Sequence, residues 1–195
     1  MEIVVERQSG SSWRAVDPGL VLNSGDGVRF RVRTNFDGFL YVTNLSTSGQ
    51  YSVLFPGADT GRSNRVKSGV EYTVPATQAL FRIAGPAGHE TMYWLMSPVA
   101  INAGDGKQLP GPPATEQSPP ADMTPRCDDS ILRARGDCID AGAGARELTV
   151  VPKHLADAQA SPNDLMFLRE KNKSVVSSPT PLNGPVIYEF RLAHK

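Results

Sequence analysis

Between residues 26 and 98 apolar and polar side chains alternate with a period of two, and turn signals cut every run short. VRFRVRT (28–34) stops at Asn35-Phe36-Asp37-Gly38. FLYVTNL (39–45) and QYSVLFP (50–56) are divided by Ser46–Gly49, and VEYTVP (70–75) follows a loop rich in Gly, Ser, Asn and Arg. ALFRIAG (79–85) and HETMYWLMSPVAI (89–101) are divided by Pro86-Ala87-Gly88. Period two puts successive side chains on opposite faces of a strand, so a chain patterned this way buries one face of a sheet against another. Short β-branched and aromatic runs at intervals of roughly 8–12 residues mark a sandwich or barrel. No segment of helical period interrupts the block, which argues against a parallel α/β sheet. The expected fold is mainly β: an antiparallel, immunoglobulin-like β-sandwich, with EIVVER (2–7) and WRAV (13–16) as its opening strand or hairpin.

Composition changes after Ile101. Residues 102–126, NAGDGKQLPGPPATEQSPPADMTPR, hold too much Pro and Gly for a ladder or a helix interior. Downstream, ELTVVP (147–152) reads as a strand. Ser161 as an N-cap and Pro162 at the first helical position introduce NDLMFLREKNK, which predicts one short helix. After the turn region SPTPLNGP (178–185), VIYEFRLAHK (186–195) alternates cleanly as a terminal strand. A good strand after so long an interruption is expected to return and pair with the β core. The expectation is one domain over 1–195, with 102–146 as a long Pro/Gly-rich insertion.

A chain of 195 residues buries roughly 70% of the surface its unfolded form exposes, so it needs no metal or disulfide framework to fold. Its 20 Lys plus Arg balance its 20 Asp plus Glu, leaving no field to draw in nucleic acid or an acidic membrane. Arg29, Arg31 and Arg33 alternate with Val28, Phe30 and Val32 and read as a solvated strand face rather than a phosphate site. No stretch approaches the roughly 18–20 apolar residues of a membrane helix, so no membrane span is expected. MEIVVERQSG lacks the basic n-region and apolar run of a signal peptide. Met1 is therefore expected to open a mature or excised domain.

Cys127 and Cys138 fit no common zinc spacing and no CxxC redox motif. A local disulfide or two free thiols remain. Closing a short loop stabilises by roughly 2–3 kcal/mol, and the Gly/Asp-rich setting favours the disulfide, hence an oxidising compartment: periplasmic or extracellular. Other chemistry is sparse. His89 and Glu90 are neighbours on a strand, point to opposite faces, and read as a surface pair near a turn. His154 lies in a plain stretch, and His194 is expected to fray at the free end. A nucleophile elbow, a phosphate loop and a dinucleotide fingerprint are all missing. Asp122, Asp128, Asp129, Asp137 and Asp140 crowd the cysteine loop without EF-hand spacing and read as solvated acids rather than calcium ligands. No catalytic residue, metal ligand or cofactor is assigned. Trp13, Trp94 and Tyr93 are the aromatic side chains held as ligand-binding candidates, against the plainer reading of core packing. In MYWLMS both faces are apolar, as in a central strand buried on both sides or partly covered by the insertion.

Several short pieces stand in a telling order: Gly25-Asp26, Asp37-Gly38-Phe39-Leu40-Tyr41-Val42, Gly49, Leu54-Phe55-Pro56, Asn64, Tyr72-Thr73-Val74-Pro75 and Pro86-Ala87-Gly88-His89-Glu90. In this order they resemble a bacterial family catalogued as domain of unknown function 4384, over about residues 15–100. The resemblance implies an accessory β domain without established chemistry. Such domains occur in envelope or multidomain proteins, sometimes beside caspase-like peptidase or kinase modules. The leading expectation is a non-catalytic interaction or structural module of the bacterial cell envelope that binds a protein partner or another envelope component. The alternative is a domain binding glycan, peptidoglycan fragments or another small ligand. A cysteine-dependent hydrolase is the third possibility.

Overall fold

A computed structural model describes residues 1–101, 124–127, 137–148 and 165–195. The strands among them are β1 (Glu2–Ser9), β2 (Ser12–Val16), β3 (Gly27–Arg33), β4 (Gly38–Leu45), β5 (Tyr51–Phe55), β6 (Arg65–Val66), β7 (Glu71–Val74), β8 (Phe81–Arg82), β9 (Gly88–Ser97), β10 (Gly144–Arg146), β11 (Met166–Glu170), β12 (Lys173–Ser177) and β13 (Val186–His194). One sheet has the order β11-β12-β1-β3-β7, with β2 also on β1 and β8 on β3. The other has the order β10-β13-β9-β4-β5, with β6 on β4. Set β10, β11 and β12 aside, and β1-β3-β7 facing β13-β9-β4-β5 is the A-B-E and G-F-C-C′ arrangement of an immunoglobulin-like sandwich. Between β2 and β3, both in the first sheet, the chain reaches across to the second. There Leu22 donates to the Ala193 carbonyl at 2.8 Å and Lys195 donates back to Leu22 at 3.0 Å, a parallel contact beside the end of β13.

Alternation puts Ile3, Val5, Phe30 and Val32 on the inner face of the first sheet and Leu40, Val42, Trp94, Met96, Phe190 and Leu192 on that of the second, all buried. Phe30 bridges the sheets, its ring edge-on to Trp94 at 5.1 Å and to Phe190 at 5.7 Å. Ring contacts of this kind add to area burial, which alone is worth roughly 1.5–3 kcal/mol for each large side chain. The outer face of the first sheet is polar. Glu6 is buried there and receives Arg29 Nε at 2.7 Å and Arg31 Nε at 2.8 Å, and Arg31 also reaches Glu71 at 3.1 Å. The outer face of the second sheet carries a further apolar cluster of Tyr41, Tyr93, Leu95 and Ile187, with Ile101 and Leu148 packed against it. β9 is thus buried on both faces.

The terminal strand returns as expected. β13 pairs antiparallel with β9 from Val186–Met96 to His194–Gly88. The expected short helix is corrected where it can be seen: Met166–Glu170 is β11, joined to β12 through Lys171-Asn172. Met, Leu, Arg, Glu and Lys all favour helix. Here, however, Phe167 and Arg169 turn inward while Met166, Leu168 and Glu170 turn out, a period-two pattern that β12 completes. Of the strand expected at 147–152, Glu147 and Leu148 lie beyond β10 in non-strand backbone, and the rest falls outside the described residues. β10 lies within 102–146 and pairs with β13, while β12 pairs with β1. The long connection from β9 to β13 therefore adds strands to one edge of each sheet.

Candidate functional site

The β3–β4 turn and the two ends of the β9–β13 connection meet at one end of the sandwich. There the sheets part around a groove of about 810 Å³. Its floor is core: Met96 from β9, Val176 from β12 and Tyr188 from β13, all buried. Its walls are the half-buried Phe36, Leu165, Leu182 and Val186, with Pro179 and Pro181 exposed above them. Local bonds shape those walls. The Thr34 hydroxyl donates to the Phe36 carbonyl at 2.8 Å, and Asp37 Oδ1 accepts the Ser68 amide at 2.8 Å. Across the groove the Ser178 hydroxyl donates to the Thr180 carbonyl at 2.8 Å. Pro179 and Pro181 have no N–H, so this wall offers carbonyls and ring carbons with few backbone donors.

Charge at the rim is uneven. Arg33 continues the arginine series of β3 and lines the groove. Arg29 and Arg31 are held by Glu6, but Arg33 makes no ion pair among the described residues. Its cross-strand partner is Glu2, whose carboxylate is taken by Lys173 Nζ at 2.8 Å. The hydrogen bond from Lys173 holds the Glu2 carboxyl below its ordinary range. Burial pushes the Tyr188 hydroxyl well up, so at the groove floor it stays a neutral phenol.

A second polar group lies at the opposite end of the sandwich. Glu90 accepts Asn44 Nδ2 at 2.7 Å, and His194 Nε2 lies 3.6 Å from its other oxygen. His194 has no exposed surface, so it is an interior residue of β13 and not a frayed end. His89 and Glu90 do face opposite ways, but neither is a surface side chain: Glu90 is buried, and the His89 side chain is 8% exposed and lies 3.5 Å from Asp140. The surface pair expected there is corrected by the crossing segment and the 137–143 stretch, which cover this end. Burial lowers the His194 imidazole below its ordinary value, with Glu90 raising it and His89 lowering it further. Both clusters are closed to solvent and offer no site for a substrate.

The sequence-derived candidates do not converge. Trp94 is fully buried on the inner face of β9, and Tyr93 is buried on the outer face of the same strand. Burial first, then the Glu189 charge, push the Tyr93 hydroxyl up to about 12. Trp13 lies on β2 in the other sheet, half-buried, with the Arg29 guanidinium 4.3 Å from its ring centre. No shared aromatic surface results, and Trp94 has no face left for a ligand. Cys127 and Cys138 are joined as a disulfide. Asp140, one of the loop acids, accepts the Gly142 amide at 2.6 Å and the Arg126 amide at 2.8 Å. Asp122, Asp128, Asp129 and His154 lie outside the described residues. Sequence reasoning missed the groove, although its two walls are the Asn35–Gly38 turn and the SPTPLNGP stretch read as turns.

A family profile described as Domain of unknown function (DUF4384) matches residues 21–100. Searches of curated proteins and of solved structures return no match. The matched stretch begins in the segment that crosses between the sheets and ends just past β9. It therefore holds β3 to β9, while β1 and β13, interior strands of the two sheets, lie outside it. Residues 21–100 of this chain thus match the DUF4384 family, the stretch in which the short sequence pieces resembled it.

Proposed function

We propose that the chain is a non-catalytic interaction module of the bacterial cell envelope, periplasmic or extracellular, that binds a protein partner through the groove at the loop end of its sandwich. The groove carries this reading: an apolar floor and walls, built by loops on a rigid two-sheet frame, with charge confined to the rim. Its side chains suit packing against another chain, and none of them forms a nucleophile–base pair. The Cys127–Cys138 disulfide supports an oxidising compartment, and it leaves neither cysteine free as the thiolate a hydrolase would need. The glycan-binding alternative loses its aromatic platform, since Trp94 and Tyr93 are buried in place.

Site-specific photo-crosslinking tests the proposal. A photoreactive side chain at Leu182, in the groove wall, is expected to give a discrete product with an envelope protein. The same probe at Ser11, in the β1–β2 turn at the far end, is expected to give none. Phe36→Glu should abolish the Leu182 product. Equal products at both positions, or a product indifferent to Phe36→Glu, would count against the groove.

A further inference from the structure

We infer that the segment received by the groove is an extended apolar peptide that presents a carboxylate to Arg33; this rests on the groove being the partner site. The contrast within one strand points there. Three arginines project from alternate positions of β3, and two are neutralised: Arg29 by Glu6, and Arg31 by Glu6 and Glu71. The third, at the groove, has no carboxylate within ion-pair distance among the described residues, although its charge still acts on Glu2 across the strand pair. Of the two acids that line the groove with it, Glu2 is bonded by Lys173 at 2.8 Å, with Lys173 also 3.6 Å from Glu170, and Asp37 accepts the Ser68 amide, a hydrogen bond and not an ion pair. A planar guanidinium left over at the mouth of an apolar cleft matches a carboxylate by paired N–H donors, which a lysine ammonium would not reproduce. Below it, Phe36 on one wall and Pro181-Leu182 on the other frame a slot for apolar side chains. The wall prolines donate no hydrogen bonds, so main-chain capture by strand addition is disfavoured there, and side-chain packing plus one ionic anchor is left as the means of recognition.

The carboxylate could be a chain terminus or an acidic side chain, and two pairs of probes separate these sources. The first pair is acetyl-Pro-Leu-Val-Phe as the free acid and as the amide. The second is acetyl-Pro-Glu-Leu-Val-amide and its Gln counterpart. Binding to the full chain is followed by amide chemical shifts. The expected result is movement of the Phe36, Leu182 and Tyr188 signals, with one carboxylate probe binding about tenfold more tightly than its neutral twin. Arg33→Gln should erase that difference without weakening the neutral peptide, and Arg33→Lys should restore only part of it. Groove shifts with no difference between acid and neutral probes would overturn the carboxylate inference and leave the groove standing as the partner site. Shifts located elsewhere, or none at millimolar peptide, would overturn the inference and weaken the groove reading with it.

Discussion

His194 has no exposed surface and sits 3.6 Å from Glu90, which is itself held by Asn44, with His89 and Asp140 on the other side of the strand. Burial is the largest influence on its imidazole and lowers its proton affinity below the ordinary value of 6.5. The folded protein therefore resists a proton that the unfolded chain accepts. Stability is complete above about pH 6.5 and is lost as the pH falls below it. Urea midpoints are expected to drop between pH 7.5 and pH 5, with a shallower drop in His194→Leu. An identical slope in the variant would show that other groups govern the loss. Arg169 is a second residue whose role only the fold reveals. Its Nη1 donates to the Asp140 carbonyl at 2.9 Å and the Ala143 carbonyl at 3.3 Å, beside the Asp17 carboxylate at 3.8 Å. Gly19 makes room for it, since a Cβ there would lie 2.6 Å from that nitrogen. In sequence, Arg169 read as one charge among several on a helix, because nothing local marks a side chain whose partners lie 26 and 29 residues away.

The most informative element is β9, whose MYWLMS run already read as apolar on both faces. Its inner face meets β3 through the aromatic cluster, and its outer face is sealed by the start of the long connection. Tyr41 on the neighbouring β4 fastens that start: its hydroxyl accepts the Ile101 amide at 2.7 Å and donates to the Ile101 carbonyl at 3.2 Å. Tyr41→Phe leaves both backbone groups without this partner, at a cost of about 1–3 kcal/mol. Amide hydrogen exchange at Ile101 should speed up in the variant, while exchange in the middle of β13 should change little. Unchanged exchange at Ile101 would mean the contact is not what holds this segment. The β11–β12 hairpin shows the opposite case. Its residues favour helix in isolation, and two short strands joined by two residues are marginal alone. The pairing of β12 with β1, and the inward reach of Phe167 toward Tyr188, override that local preference.

For the whole molecule, the boundary of the family match and the boundary of the fold differ. Residues 21–100 contain β3 to β9, but β3 needs β1 beside it and β9 needs β13. Without them Phe30 and Trp94 lose Phe190, Ile3 and Val5 from the shared core, and two interior ladder edges open to solvent. A fragment of residues 21–100 is therefore expected to be unfolded or aggregated by circular dichroism and amide spectra, whereas the full chain is folded. A monomeric fragment with dispersed amide signals would contradict the dependence on β1 and β13. Read alone, the sequence determined the strand class, most strand positions up to Ser97 and the return of the terminal strand, because alternation, turn residues and spacing are local signals. It favoured the Cys127–Cys138 disulfide over two free thiols, and the structure joins the pair. Only the tertiary structure decided that Met166–Glu170 is a strand, that His194 and Glu90 are interior, that the candidate tryptophans lie apart, and that a groove opens beside Arg33. Each of these depends on which distant segments meet, and period and propensity carry no record of that.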